Sequence, residues 1–203
     1  MTLFVQVITG KVVNEAGARE QDARWQRDLR PGATGYLGST WGTTDDGRFV
    51  ATIRFDSADD ARRSSERAEQ GKWWSEMEKD VSDVEFDDCS SVLALLGGGS
   101  DDAKFVQVMR SRVTDRATLD ALAPRAGEIE RVLHEFRPDV SGETIAYHDD
   151  GDGYTDIVYF TSESEARAGE QKAPTGAAKE LLDQMMSSIT VDEYRDLRNP
   201  TLQ

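Results

Sequence analysis

Two successive βαββαβ units, an α+β fold, are what this sequence of 203 residues predicts, and three observations carry the prediction. The first is an ordered repeat. FVQV at 4–7 returns at 105–108, RPGATG at 30–35 is answered by RPDVSG at 137–142, and DDG occurs at 45–47 and 149–151. FDSADDAR at 55–62 then matches FTSESEAR at 160–167, with EQ following at 69–70 and 170–171. The offset stays between 101 and 107 throughout, as an internal duplication requires. The second observation is GGGSDD at 97–102, a Gly-rich connector between residues 1–96 and 103–203. The third is that the strands are apolar on both faces, so helices on one side leave the other side to be covered.

In the first half, residues 3–9 read as a strand and 15–29 as a helix, with Ala18, Asp22, Trp25 and Leu29 at helical spacing. A Pro-Gly turn leads to a second strand, GYLGSTWG. The DDG turn then joins it to a third, RFVATIRF. Ser57 is placed to cap a helix carrying Ala58, Ala61, Ser65 and Ala68, which Gly71 is expected to interrupt before Trp73, Trp74 and Met77. Residues 83–93 complete the unit as a fourth strand. The second half repeats the order, with strands near 104–111, 141–147, 153–160 and 189–195. Leu119, Leu122, Ala126, Ile129 and Leu133 mark its first helix, and Pro174 breaks its second.

That order makes a four-stranded antiparallel sheet with both helices on one side, a ferredoxin-like unit. Strand side chains alternate, so Phe4, Gln6 and Ile8 share one face while Val5 and Val7 share the other. Two such sheets packed face to face would bury both apolar faces, giving an intrachain α/β barrel.

Charge and composition narrow the partners. The formal charge of −15 opposes nucleic acid and anionic membranes, and no run approaches the ~20 apolar residues of a membrane span. One cysteine, Cys89, permits no intrachain disulfide, and the N-terminus shows no secretory leader, so a cytoplasmic location is expected. Asp87 and Asp88 should hold the Cys89 thiol protonated. No phosphate-binding loop, HExxH, CxxC or nucleophile elbow is present. HDDGDGYTD at 148–156 fails the calcium-loop spacing. With Gly153 sixth, the place of the bidentate Glu falls on Tyr159, so no metal site is expected.

The FVQV first strands, FVATIRFDSADDAR and GKWWSEM at 71–77 resemble the dimeric α/β-barrel superfamily, and within it the antibiotic-biosynthesis-monooxygenase-like proteins. The resemblance spans both halves. It implies that a tandem chain supplies both units of a barrel that is usually a homodimer, as a monomer with an internal pseudo-dimer or within a further homodimer. It also implies cofactor-independent monooxygenation of a small electron-rich aromatic ligand. The alternative is a non-enzymatic small-molecule-binding or structural protein. The haem-degrading branch of the superfamily uses an Asn on the first strand, a Trp near the end of the second helix and an axial His. Here Gln6 takes the place of the Asn but not its type, and Trp74 or Trp73 takes that of the Trp, while residues 1–133 contain no His, so no cofactor is expected.

The candidate ligand-binding residues are Gln6, Trp41, Arg54, Trp74, Gln107 and Tyr159; no catalytic residue is assigned. Gln6 and Gln107 either orient a ligand or make a structural hydrogen bond closing the two sheets. Trp41, Trp73 and Trp74 either line an aromatic pocket or seal the core. Arg54, between Ile53 and Phe55, either holds an anionic oxygen in a cavity or reaches solvent, and Tyr159 takes its place in the second half. The first half is favoured for a site because Gln6, Trp41, Arg54 and Trp74 combine amide, cation and aromatic surfaces. This requires Arg54 and Trp74 to face one cavity.

Overall fold

The structure, a computed structural model, describes residues 3–203. The first half runs β1 (Phe4–Val12), α1 (Glu15–Arg24), β2 (Tyr36–Thr43), β3 (Arg48–Phe55), α2 (Ala58–Ser65), α3 (Ala68–Met77) and β4 (Val81–Cys89). A short β5 (Ser91–Leu95) precedes β6 (Phe105–Val113), α4 (Arg116–Leu122), α5 (Ala126–Phe136), β7 (Val140–Tyr147) and β8 (Gly153–Phe160). α6 (Glu163–Glu170), α7 (Gly176–Ser187) and β9 (Ile189–Leu202) end the chain. Helix starts are fixed by matching caps in the two halves. Asn14 and Asp115 accept from Gly17 N and Thr118 N; Ser57 and Ser162 accept from Asp60 N and Glu165 N. Gly47, at φ +77°, supplies the left-handed residue that the DDG hairpin demands.

The sheet is antiparallel, with nine strands in the order β4-β1-β3-β2-β9-β6-β8-β7-β5. Each half therefore contributes the order fourth-first-third-second, with equal register: Phe4 faces Phe55 and Phe105 faces Phe160. β2 and β9 join the halves, Trp41 lying opposite Thr201. Alternation places Val5, Val7 and Val50 in one apolar cluster with Val106, Val108, Ile157 and Tyr159, so one face of each half packs on the other. The opposite faces are covered by helices. Trp25, Trp73 and Met77 lie on Ile8 and Phe49, and Leu119 and Leu122 lie on Met109 and Tyr154.

Four details differ from expectation. The strand expected at 83–93 is two strands, because Asp149 accepts from both Ser90 N (2.9 Å) and Ser90 Oγ (2.8 Å) and turns the chain there. β5 then leaves the first half and pairs with β7. Gly71 does not interrupt its helix. The break falls at Glu66–Arg67, and Gly71 stays inside α3. A Cβ there would meet nothing within 4 Å, and a glycine inside a helix costs only about 1 kcal/mol relative to Ala. β9 runs on past 195 because β2 offers it an open edge. The Gly-rich connector is packed rather than free: Thr144 Oγ1 donates to Gly98 O, and Gly99 lies against Gly142. No helix among the described residues is long and apolar enough to cross a membrane.

Tyr159 ties the halves together, its hydroxyl 2.6 Å from Thr40 Oγ1 in a buried setting. Tyr159→Phe should cost about 1–2 kcal/mol in urea unfolding, because Thr40 Oγ1 is left without its buried partner. Adding Thr40→Val should restore part of that loss. Additive losses would show that the two hydroxyls are not coupled.

Candidate functional sites in the two halves

Each half holds a cavity between its sheet and its helices. The first-half cavity, of about 320 Å³, is lined by Gln6, Trp41, Trp74, Trp25, Phe49 and Phe86 together with the polar Asp22, Gln26, Ser39 and Thr40. Its volume lies at the lower end of small-molecule pockets, and aromatic walls with a few polar groups are the usual composition of such sites. Trp74 packs edge-on against the half-exposed Phe86, with ring centroids 5.2 Å apart, at the rim.

The indole N–H groups separate the four tryptophans. Trp25 Nε1 donates to Gln70 (2.8 Å), Trp73 Nε1 to Gln21 O (2.8 Å) and Trp74 Nε1 to Glu78 (2.8 Å). Among the described residues, Trp41 Nε1 is buried with no acceptor and Gln26 Oε1 is buried with no donor. Unpaired buried polar atoms cost about 1–3 kcal/mol each, so two of them in residues lining one cavity is unusual for a structural core. Arg19 stacks its guanidinium 4.9 Å from the Trp41 ring centre. Asp22, on α1, has its carboxyl raised above the ordinary carboxylate value by burial, with Gln26, Thr201 and Arg19 acting against this in part.

Of the expected site residues, Gln6, Trp41 and Trp74 meet in this cavity. Arg54 does not. Alternation puts Ile53 and Phe55 on the cavity side and Arg54 on the opposite face, where its guanidinium lies against Gly38 and Gly99. A Cβ at Gly38 would sit 2.4 Å from Arg54 Nη2, so the glycines make room for the cation between the halves. Arg54 and Trp74 therefore do not share a cavity, and the reading that joined them is corrected. Tyr159, at the matching place, lies on the same inter-sheet face. Gln6 and Gln107 both make structural hydrogen bonds, but within their own sheets rather than between them. Gln6 Nε2 donates to Asp88 (2.8 Å) on β4, and Gln107 Nε2 to Asp196 (3.1 Å) on β9.

The second-half cavity, of about 260 Å³, is lined by Gln107 and by a hydrocarbon wall that includes Leu95, Met109, Leu122, Leu133 and Met185. Two acids interrupt that wall, Glu143 on β7 and Asp156 on β8, both buried. Burial raises Glu143 to about 7, opposed by its hydrogen bond with Asp156, and burial with the Glu143 charge raises Asp156 well above the ordinary value. Sequence reasoning missed this pair. Its visible signal is an acid at 156 in phase with Tyr154, Val158 and Phe160 on the apolar face of a strand.

At the seam between β4 and β7, Asp87, His148 and Asp150 bring one ligand-type atom each within 4.8 Å of one another. Asp87 is already engaged by Arg110 at 2.9 Å and His148 Nε2 by Thr155 Oγ1 at 2.8 Å, and Asp150 is exposed. Cys89 is buried, and burial first, then Asp87, pushes its thiol far above the ordinary value.

Solved structures share this architecture. A candidate monooxygenase from Lactobacillus acidophilus NCFM superposes with a TM-score of 0.71 at 12% identity, covering 98% of this chain and 94% of that one. A candidate monooxygenase from Fusobacterium nucleatum gives 0.69 at 9% identity over 97% and 92%. The chain shares the α+β fold of these two solved structures over nearly its whole length. An anthrone oxidase-like protein is also similar, with a TM-score of 0.64 at 12% identity over 100% of this chain and 94% of that one. No protein-family profile matches the sequence, and no curated protein matches it. At these identities the likeness carries the fold; reaction and substrate rest on the sites themselves.

Proposed function

We propose that this chain forms both units of an α/β barrel by itself and that its first-half cavity binds a small planar phenol and oxidises it with O2 without a cofactor. A barrel completed in one polypeptide needs no second copy to cover its apolar faces. The observation that carries the functional reading is Trp41, whose buried N–H finds no acceptor among the described residues, in an aromatic cavity. A phenolic or ketonic oxygen would supply that acceptor, and a ligand hydroxyl would supply the donor that Gln26 Oε1 lacks.

Asp22 serves as the base. A carboxylate raised by burial is a stronger base than an exposed one, and it takes the proton that turns a phenol into an electron-rich anion. The anion reduces O2 by one electron, and recombination at the ring carbon forms the new C–O bond. Loss of water then balances the reaction: the substrate loses two hydrogens and gains one oxygen, and the second oxygen atom leaves as water. The protein's contribution is to bind, desolvate and hold the anion.

Dithranol, a planar 1,8-dihydroxyanthrone, tests this through oxygen uptake. Uptake should rise with pH through the Asp22 titration, and Asp22→Asn should lower it by about 100-fold or more. Trp41→Phe should weaken dithranol binding by roughly 10-fold, the loss of one buried hydrogen bond. Dithranol bound in the cavity without oxygen uptake would replace the oxygenase by a binding protein. No binding would end both readings.

A further inference from the structure

The second-half cavity differs from the first in kind. At the positions matching Glu143 and Asp156 in the strand registers, the first half carries Ser39 and Ala51, so the repeated fold does not need acids there. Yet both acids stand within a hydrocarbon lining, 6% and 4% exposed. Asp156 Oδ1 is fully buried and receives no hydrogen bond from any N–H or O–H group of the described residues. One cation, Arg137 just after α5, lines the cavity and its charge opposes the rise of Glu143, but its guanidinium is held by Asp139 through contacts of 3.0, 3.2 and 2.7 Å. The other titratable groups on the lining are phenols: Tyr147 on β7, Tyr154 on β8 and Tyr194 on β9. β5, β6, α4 and α7 contribute no charge to it.

Two facing carboxyls are rich in acceptors and poor in donors, and a low-dielectric wall strengthens any charge that complements them. The missing complement is a cation that brings several N–H donors. The hydrocarbon around them asks for an apolar body on the same molecule. At about 260 Å³ the cavity suits an alkyl chain or a small ring system; Tyr154 stands edge-on to Tyr147 with centroids 5.4 Å apart, while the Tyr147 ring already carries the Arg116 guanidinium 4.2 Å from its centre.

We infer that the second-half cavity is a separate binding site for an apolar primary amine, whose ammonium lies between the carboxyls of Glu143 and Asp156 and whose hydrocarbon part fills the lining. Binding ionises the pair, so the ammonium displaces protons that the empty cavity retains. The two halves of the chain then serve two ligands, a planar phenol in the first and a cationic amphiphile in the second.

Calorimetry with octylamine, octanol and octanoate on the whole chain tests the assignment. Octylamine should bind at least 10-fold more tightly than octanol, and octanoate should not bind. At pH 6, octylamine titrations in two buffers of different ionisation enthalpy should show net proton release, shrinking as the pH is raised towards 8. Glu143→Gln with Asp156→Asn should erase the preference for amine over alcohol. Because all four tryptophans lie in the first half, their fluorescence should stay unchanged as octylamine saturates. Octanol binding as tightly as octylamine would overturn the inference, as would an amine preference that survives in the double variant. If that variant does not fold, the wild type decides: an amine preference without proton release overturns the proposal, and one with proton release sustains it.

Discussion

Ile157→Ala should destabilise both halves of the chain together, by about 3 kcal/mol, or ~6–12 °C in Tm for a protein of this size. Ile157 is fully buried on β8 in the second half, yet it belongs to the cluster that contains Val5, Val7 and Val50 of the first. Truncating it removes three carbons from a core that two packed sheets cannot close without moving both. The tryptophans make the test clean, since Trp25, Trp41, Trp73 and Trp74 all report on the first half while far-ultraviolet circular dichroism reports on the whole. Both signals should shift to the same lower urea midpoint. A fluorescence midpoint left in place while the circular dichroism splits into two steps would mean that the halves unfold independently and that the inter-sheet core contributes little.

The strand pattern was legible because it is written twice. FVQV and its return set β1 and β6, and matching DDG turns set the two hairpins, so each half checked the other. Period-two alternation separated Val5 and Val7 from Gln6, and the structure decides which face is which: the valines lie between the halves and Gln6 on the helix side. The same rule, applied to β3, puts Arg54 away from Ile53 and Phe55. The error lay in joining Arg54 to Trp74 without asking which face the helices cover. α3 can bring Trp74 only to the helix side, whereas Arg54 lies between the halves beside two glycines.

The acids at 143 and 156 were harder to see. They lie thirteen positions apart along the chain, and their approach depends on the β7–β8 register, in which a shift between Val140 and Gly142 sets Glu143 opposite Val158 and Ile145 opposite Asp156. The adjoining HDDGD run drew attention to the turn and to metal chemistry instead. Asp22 was visible only as a helical position, since its burial depends on the helix packing near the C-terminal Thr201. Local pattern sets which face a residue takes; the chemistry of a site depends on which distant faces meet.

The acid pair should make stability fall as pH rises through a range in which most proteins are indifferent. Below about 4.5, the ordinary value for Glu, Glu143 is neutral in both the folded and the unfolded chain and imposes no penalty. Between there and about 7 the unfolded chain releases the Glu143 proton while burial keeps it on in the folded chain, so each pH unit favours unfolding. Above about 7 both states are ionised at this group and its loss is complete, at about 3 kcal/mol for a shift of this size. Asp156, raised further by burial and by the Glu143 charge, extends the decline to higher pH. Carboxylates held by donors, such as Asp60, lowered first by Ser57 and then by Arg63, act oppositely, but only on the acid side of their ordinary value. Glu143→Gln keeps the shape and removes the titration. The difference in unfolding free energy between it and the wild type should therefore open in favour of the variant from pH 4.5 to 7. Parallel curves over that interval would show that Glu143 ionises as readily in the folded chain as in the unfolded one, and that the empty second-half cavity does not retain its proton.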